Sequence, residues 1–178
     1  MPDSVDSDEL LVQATGKGDL KSFEQIVTRH QTWAWKISYR FIGNEEDALD
    51  IVQEAFLRLL EASGRYRPSA AFRTYFYRII SRLCLDRGKK KQPLLLETIP
   101  DAADPRPDVS DAMIKHEAVL AVRTALGTLP ANQRMAIVLR YYEDLNYEEI
   151  ASAMETTPKA VERLLARGRE QLKGIFEK

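Results

Sequence analysis

A proline-rich, acidic segment in the middle of the chain limits how the rest of it can fold. Residues 92–111, QPLLLETIPDAADPRPDVSD, contain four prolines, and five acids against one base lie between Glu97 and Asp111. Proline removes backbone hydrogen-bond donors and charge disfavours burial, so such a segment does not build a packed core. We interpret residues 92–111 as a linker between a first unit, residues 1–91, and a second unit, residues 112–178.

The rest of the sequence predicts an all-α protein of two small helical domains. No stretch alternates apolar and polar residues as a half-buried strand would. The first ten residues, MPDSVDSDEL, are acidic and lack the basic and apolar regions of a signal peptide. No apolar run approaches the roughly 20 residues of a membrane span. We therefore expect a cytoplasmic protein without membrane insertion.

The residue types needed for metal binding, cofactor binding or catalysis are sparse. Cys84 is the only cysteine, which excludes an internal disulfide, and its neighbours Leu83 and Leu85 predict a buried thiol. His30 and His116 have no nearby cysteine or histidine partner, so we expect neither a metal site nor a cofactor. The sequence contains no Gly-rich phosphate loop and no convincing nucleophile–base pair, which argues against an enzyme.

Local signals divide the first unit into four helices. Ser7 is a candidate cap for a short helix that ends at Lys17-Gly18-Asp19. In that short helix the apolar residues are Leu10, Leu11 and Ala14, and in a longer second helix the candidate core residues are Phe23, Ile26, Val27, Trp33, Ile37 and Phe41. Gly43-Asn44 is predicted to end the second helix and cap the third.

The third helix, from about Glu45 to Ala62, is strongly amphipathic. Its apolar stripe consists of Ala48, Ile51, Val52, Ala55, Phe56, Leu59 and Leu60. Six acids and one base lie between Glu45 and Glu61, mostly on the other side. A solvated face is the commoner meaning of such a stripe. The alternative is a docking surface for a basic protein partner, where charge sets approach and register.

The fourth helix combines cations with aromatic rings. Eight basic residues lie between Tyr66 and Lys91, nine with Arg65, and only Asp86 opposes them. Phosphate-tracking cations and rings that accept unstacked bases form the combination that holds a single nucleic-acid strand. A solvated amphipathic helix would share much of the pattern. Helical spacing predicts a core of Phe72, Phe76, Ile79, Ile80 and Leu83, an exposed side with Tyr75, Arg78, Arg82 and Lys89, and a helix that fades in Gly88–Lys91.

The second unit is predicted to begin with two helices separated by Leu129-Pro130. The first runs from about Asp111 to Leu126, and the second from Ala131 to Tyr142. Their candidate core residues are Ile114, Ala118, Val119, Val122 and Leu126 in the first helix and Met135, Ile137, Val138 and Leu139 in the second.

Residues 146–172, NYEEIASAMETTPKAVERLLARGREQL, predict a helix-turn-helix. Thr157 and Pro158 suit the cap and first position of its second helix. Glu155 lies where such turns commonly have glycine. The inner face is predicted to contain Ile150, Ala151, Met154, Val161, Leu164, Leu165, Leu172 and Phe176. The outward residues, which in a recognition helix meet the major groove, are Lys159, Glu162, Arg163, Ala166 and Arg167.

From Asp8 to about Lys173 the chain resembles a bacterial RNA polymerase sigma factor of the extracytoplasmic function (ECF) group. Residues 47–60, DALDIVQEAFLRLL, resemble that family's polymerase-binding helix. Residues 71–87, AFRTYFYRIISRLCLDR, resemble its promoter-melting and minus-ten helix. Residues 129–154, LPANQRMAIVLRYYEDLNYEEIASAM, together with the helix that follows, resemble its minus-thirty-five reader.

The resemblance implies a region 2-like domain at residues 1–91 and a region 4-like domain at residues 112–178. It implies core RNA polymerase, through its β′ clamp helices and β flap, promoter DNA and an anti-sigma factor as partners. The implied polymerase-binding residues are Asp50, Gln53, Glu54 and Leu57. The implied DNA-binding residues are Tyr66, Arg67, Arg73, Tyr75, Arg78 and Arg82 in the first unit and Arg140, Lys159, Glu162, Arg163 and Arg167 in the second.

Four positions depart from the family's pattern and bear on promoter preference. Tyr75 replaces a usual tryptophan, Arg82 a usual asparagine, Glu155 a common glycine and Glu162 a commonly basic residue. The alternative function is a helix-turn-helix repressor or activator that acts without polymerase. That alternative leaves the acidic stripe of the third helix and the aromatic-basic fourth helix without a role.

Overall fold

The structure is a computed structural model that describes residues 7–69, 71–90 and 109–177. These ranges are helical without any strand, which confirms the all-α prediction. In chain order the helices are α1 (Asp8–Gly16), α2 (Leu20–Ile42), α3 (Glu45–Ser63), α4 (Phe72–Lys90), α5 (Val109–Thr128), α6 (Ala131–Tyr141), α7 (Tyr147–Ala153) and α8 (Pro158–Phe176). Over the described residues, no helix combines the length and the hydropathy of a membrane span.

Capping residues set the predicted boundaries of the first three helices. The Ser7 hydroxyl accepts the N–H of Leu10 at 3.4 Å, and the Asn44 side chain accepts that of Asp47 at 2.9 Å. Between α2 and α3, Gly43 has a φ of 74°, a left-handed conformation that glycine adopts without a Cβ clash. The predicted stop and cap at Gly43-Asn44 are therefore confirmed.

An aromatic cluster forms the centre of the first unit. Phe76 of α4 is fully buried, and its ring centroid lies 5.9 Å from that of Trp33, 5.0 Å from Phe56 and 5.5 Å from Phe72. Burying such side chains contributes roughly 1.5–3 kcal/mol each. The predicted apolar stripe of α3 is buried as well, with Leu60 only half-buried. Leu10, one of the apolar residues of the short helix α1, is exposed.

α4 runs to Lys90, so it ends within the stretch Gly88–Lys91 where it was predicted to fade. A Cβ atom at position 88 would lie 3.0 Å from Cζ of Phe41 and 3.5 Å from Cβ of Ala131. Glycine at this position therefore serves close helix packing rather than helix termination, because a larger residue would push α4 away from α2 and α6.

The core of the second unit is built mainly on α6, α7 and α8. The buried apolar residues of these three helices are Met135, Ala136, Ile137, Val138, Leu139, Ile150, Ala151, Ala153, Val161 and Leu165. In α5, Leu126 is buried as predicted, but Ala118, Val119 and Val122 are exposed. Among the residues of this helix whose side chains are described, 117–128, the buried ones lie in the last turn.

Three further sequence predictions for the second unit need comment. α5 begins at Val109, so the last three residues of the predicted linker are helical, two residues beyond the last proline. Residues 91–108 and the side chain of Ile114 lie outside the described residues. Phe176, predicted to hold α8 against the core, is instead 56% exposed.

The two units pack directly on each other. α4 contacts α6 and α7, and α2 contacts α5 and α6. The guanidinium of Arg134 in α6 is largely buried there and donates to the carbonyl of Phe41 at 3.0 Å, as well as to those of Gly127 and Leu129 at 2.9 and 3.1 Å. Burial lowers the pKa of Arg134, and the three carbonyls replace part of the water that its Nη atoms lose.

Candidate nucleic-acid and protein interfaces

The predicted DNA-binding cations of the first unit lie along α4 and the loop before it. Arg73, Arg78 and Arg82 are exposed and together form what we call the basic face of α4. Arg67 lies in the preceding loop, where its guanidinium donates to the carbonyl of Tyr66 at 3.0 Å. The sequence pattern thus places its cations outward and its apolar residues inward, with Ile79 half-buried between them.

The two predicted stacking rings differ in their access to solvent. Tyr66 is 5% exposed and meets the half-buried Tyr75 edge-on, with ring centroids 5.2 Å apart. Burial, with a smaller contribution from the charge of Glu9, raises the pKa of Tyr66. The ring of Tyr75 is therefore the one that an unpaired base can reach, and the buried ring of Tyr66 packs against it.

Part of the basic face is occupied by the second unit. Arg78 donates to the carbonyl of Ser152 at 3.3 Å and to its hydroxyl at 3.2 Å. Arg73 lies over the ring of Trp33 at 4.9 Å and approaches Glu143 at 3.9 Å. The sequence did not predict these contacts, since Ser152 and Glu143 carry no local signal for an interaction with α4.

The predicted polymerase-binding residues share one exposed face of α3. Asp50, Gln53, Glu54 and Leu57 line a shallow groove of about 520 Å³ whose other side is formed by Leu83, Asp86 and Arg87 of α4. We call these four residues the α3 surface. Leu57 is 54% exposed at its centre. An accessible leucine ringed by polar groups is typical of a protein interface, where an apolar anchor is surrounded by a polar rim.

Arginines partly balance the carboxylates of the α3 surface. Arg87 of α4 approaches Asp50 at 3.5 Å and Asp47 at 3.2 Å. Arg58, one turn further along α3, pairs with Glu54 at 2.8 Å. The Asp47 side chain is buried, whereas the exposed pairs of Asp50 and Glu54 contribute little to stability. They also order the carboxylates of the α3 surface, where cations of a partner protein can take the place of the two arginines.

The helix-turn-helix has the geometry predicted from sequence. Asn146 caps α7 in a capping box with Glu149, and the Thr157 hydroxyl caps α8 by accepting the N–H of Ala160 at 3.2 Å. In the turn between them, Glu155 adopts a φ of 52°. The family's usual glycine position therefore keeps its left-handed backbone here, even though a glutamate occupies it.

The outward residues of α8 lie where a recognition helix presents them. Val161 and Leu165 are buried, and after Pro158 the exposed residues of the first half of the helix are Lys159, Glu162, Arg163, Ala166 and Arg167. The remaining predicted DNA contact, Arg140, is separate from this row. Its guanidinium donates to the carbonyl of Leu145 at 2.9 Å and lies 3.8 Å from Asp144, so it holds the loop between α6 and α7.

Two family models match this chain in the order of its two units. Residues 26–93 match Sigma-70 region 2, which covers most of α2, α3 and α4. Residues 120–172 match Sigma-70, region 4, which covers the helix-turn-helix.

Curated relatives match almost the whole chain. It is 32% identical to the ECF RNA polymerase sigma factor SigE of Mycolicibacterium smegmatis over 93% of its own length and 66% of that protein's length. The chain thus spans slightly less than two thirds of SigE. It is 28% identical to the ECF RNA polymerase sigma factor SigW of Bacillus subtilis and 29% identical to the ECF RNA polymerase sigma-E factor of Escherichia coli, and it covers 92% of each.

Two solved structures share the fold. CnrH in complex with the cytosolic domain of CnrY aligns over 97% of this chain with a TM-score of 0.71 and 24% identity. The sigma factor RpoE of Bartonella quintana, in complex with the anti-sigma factor NepR, aligns over 88% with a TM-score of 0.63 and 15% identity. Together with the two region matches and the curated relatives, these similarities show that the chain belongs to the ECF group of bacterial RNA polymerase sigma factors.

Proposed function

We propose that this chain is a transcription initiation factor that binds core RNA polymerase, directs it to specific promoters and opens the minus-ten region. The observation that carries the proposal is the α3 surface, an exposed leucine among carboxylates within the Sigma-70 region 2 match. A DNA-binding repressor or activator has no use for such a surface, whereas a factor that docks on a large protein assembly needs one.

The α3 surface supplies the contact with polymerase. Leu57 is the apolar anchor, and Asp50 and Glu54 set the charge of its rim. By resemblance its partner is the pair of clamp helices in the β′ subunit. Complementary charge steers such an encounter and fixes its register, while the desolvated anchor provides most of the affinity.

The basic face of α4 and the rings beside it supply the contact with the melted strand. Arg67, Arg73, Arg78 and Arg82 track its phosphates, and Tyr75 stacks on an unpaired base. Stacking on an aromatic ring is worth about 1–3 kcal/mol per base, comparable to the few kcal/mol needed to unstack one base. These contacts therefore offset the cost of opening the duplex, and no catalytic residue of this chain is needed.

The first half of α8 supplies the contact with the upstream duplex element. Lys159, Arg163 and Arg167 suit phosphates or the acceptor edge of guanine in the major groove. Glu162 accepts from the exocyclic amine of cytosine and repels phosphate, so it narrows the choice of promoter.

The chain acts in the cytoplasm, where polymerase works, and leaves the chemistry of RNA synthesis to that enzyme. An anti-sigma protein that covers its polymerase-binding surface is the expected regulator. The solved complex of RpoE with the anti-sigma factor NepR, which shares this fold, supports that expectation.

Binding to core polymerase tests the proposal. Labelled chain is titrated with core enzyme from the source organism, and the double variant Asp50→Lys with Glu54→Lys is compared with wild type. The matched control carries Glu24→Lys with Glu177→Lys, which makes the same change in charge at exposed acids outside the α3 surface. We expect the first variant to lose at least about tenfold in affinity and the control to bind like wild type. Equal binding by all three, with an unaided shift of duplex DNA, would favour the repressor or activator.

A further inference from the structure

The short helix α1 is firmly anchored in the first unit, and it precedes residues 26–93, which match Sigma-70 region 2. It packs on α2 and α3, and its residues Leu11 and Val12 are buried. At its first residue, Oδ2 of Asp8 lies 2.8 Å from Nε2 of His30 in α2. These contacts make α1 a fixed support for whatever touches its other side.

The end of α1 touches the start of the loop that follows α3. Gly16 is the last residue of α1, and a Cβ atom there would lie 2.7 Å from the carbonyl carbon of Ser63 and 2.9 Å from the main-chain nitrogen of Gly64. Such a Cβ would clash with backbone that has no flexible side chain to move aside. The main chains of α1 and of the loop therefore meet directly, and glycine permits this contact.

The first turn of α1 holds the other end of the same loop. Oε1 of Glu9 accepts the main-chain N–H of Phe72, the first residue of α4, at 2.8 Å. An N–H in the first turn of a helix has no partner inside that helix, so this bond helps to set where α4 begins. Tyr75, whose ring is the proposed platform for an unpaired base, lies three residues further on.

The described part of the loop, residues 64–69, carries Tyr66, which packs edge-on against Tyr75. Burial raises the pKa of the Tyr66 hydroxyl, and the charge of Glu9 adds to this shift, so the first turn of α1 lies near that hydroxyl. The same hydroxyl is buried and makes no hydrogen bond within the described residues. The position of the Tyr66 ring therefore depends on the elements packed around it.

The hydrogen bonds of the loop backbone are short-range. The N–H of Tyr66 donates to the carbonyl of Ser63 at 3.2 Å, and the N–H of Ser69 donates to that of Arg67 at 2.8 Å. These bonds turn the chain, but they do not tie it to the rest of the first unit. α1 supplies longer-range contacts at both ends.

We propose that α1 positions the strand-binding site, with Glu9 and Gly16 as its positioning residues. This inference rests on the proposed function, since it assigns Tyr75 and Arg67 to the melted strand. Neither positioning residue touches DNA in this account. They act through the start of α4 and the start of the loop, because a binding site needs a supporting set of contacts that keeps its rings and cations in place.

Promoter opening by the complex of core polymerase with this chain tests the proposal. The DNA is a fragment that yields a transcript with the unmodified chain, and permanganate modification of unpaired thymines measures the ratio of open to closed promoter. Glu9→Ala removes the acceptor, whereas Glu9→Gln keeps one. Asn44→Ala is the matched control, because it removes a cap of similar value at the far end of α3. Affinity for core polymerase is measured in parallel, and opening is compared at saturating chain.

We expect Glu9→Ala to lower the ratio of open to closed promoter by about fivefold, which corresponds to the loss of one cap, with unchanged affinity for core polymerase. Glu9→Gln should recover most of the opening, and Asn44→Ala should open the promoter like wild type. Such a pattern separates positioning from general stability, because both alanine variants lose a cap and only one should lose opening.

Three results would overturn the inference while the proposed function stands. These are equal opening by Glu9→Ala and wild type, an equal loss with Asn44→Ala, and a loss of core affinity by Glu9→Ala that matches its loss of opening. The last two would mean that the whole first unit is weakened. A lack of opening by wild type would overturn the proposed function and this inference with it.

A second substitution tests the other anchor, and it decides the matter if Glu9→Ala does not fold. Gly16→Ala leaves the Glu9 carboxylate in the chain but forces the end of α1 away from Ser63. Gly174→Ala is its control, since no atom lies within 4 Å of the added Cβ. We expect Gly16→Ala to lower the ratio of open to closed promoter with unchanged affinity for core polymerase, and Gly174→Ala to leave both unchanged. Equal opening by the two glycine variants would contradict a positioning role for α1.

Discussion

The main-chain N–H of Phe72 donates to Oε1 of Glu9 at 2.8 Å, across 63 residues of sequence. Phe72 is the first residue of α4, and Ala71 before it has no side-chain acceptor that could cap the helix. Glu9 of α1 therefore supplies the cap that the local sequence lacks. It fixes the start of α4 next to the loop that carries Tyr66 and Arg67.

Substitution of Glu9 should destabilise the fold by about the value of a helix cap. We expect Glu9→Ala to lower the free energy of unfolding by about 1 kcal/mol, and Glu9→Gln, which keeps an acceptor, by less. Urea unfolding followed by circular dichroism measures both. Glu24→Ala is the control, since this exposed residue of α2 caps no helix. A loss for the control as large as that for Glu9→Ala would contradict the assignment.

Glu9 also predicts a pH dependence. The Phe72 N–H, and after it the N–H of Glu9 itself, hold the pKa of the carboxyl below its usual 4.5. The folded state thus favours the charged form, and this stabilisation is present above pH 4.5 and is lost as the pH falls through the lower folded-state pKa. Wild type should be more stable than Glu9→Gln at neutral pH, and the gap should close under acid. If the difference in the free energy of unfolding between wild type and Glu9→Gln grew on acidification, it would contradict this prediction.

Glu155 offers a stabilising substitution. Its φ of 52° strains the backbone of a residue that has a Cβ atom, but it does not strain glycine. We expect Glu155→Gly to raise the free energy of unfolding by about 0.5–1 kcal/mol. The same change at the exposed, helical Glu170 should instead lower it by about 1 kcal/mol. Thermal or urea unfolding distinguishes the two, and destabilisation at both positions would mean that the turn is not strained by its side chain.

Whether the sequence predicts a structural feature depends on how far apart in the chain the interacting residues lie. The stripe of α3, the Asn44 and Thr157 caps and the outward row of α8 follow from residues within one or two turns, and sequence analysis predicted them. α5 has a similar apolar pattern, but Val119 and Val122, which were predicted to be core residues, are exposed. Periodicity shows that a helix has an apolar side, not whether a neighbour lies there.

The interface between the units is the part that sequence analysis missed. Glu143 meets Trp33 and Tyr77 across 110 and 66 residues of chain, and nothing near it in sequence signals burial. Gly88 is explained by its packing against the ring of Phe41 in α2 and Cβ of Ala131 in the second unit. Such contacts arise from how two helical domains meet, which local patterns do not encode.

The thiol of Cys84 should be unreactive in the folded protein. Its side chain is fully buried in α4, and burial raises the pKa of the thiol to about 12. Because the thiolate is the reactive form, we expect negligible labelling by a maleimide at pH 8 until denaturant unfolds the chain. The thiol titration with and without urea checks this. Stoichiometric labelling of the native protein would show that α4 opens readily.

Transcription in vitro tests the central claim most directly. Core polymerase from the source organism is incubated with genomic fragments, alone, with this chain, or with the variant that carries Asp50→Lys and Glu54→Lys. We expect discrete new transcripts only with the unmodified chain, because promoter choice requires docking through the α3 surface. Transcription that stays like that of core enzyme alone, or new transcripts that persist undiminished with the variant, would contradict the account.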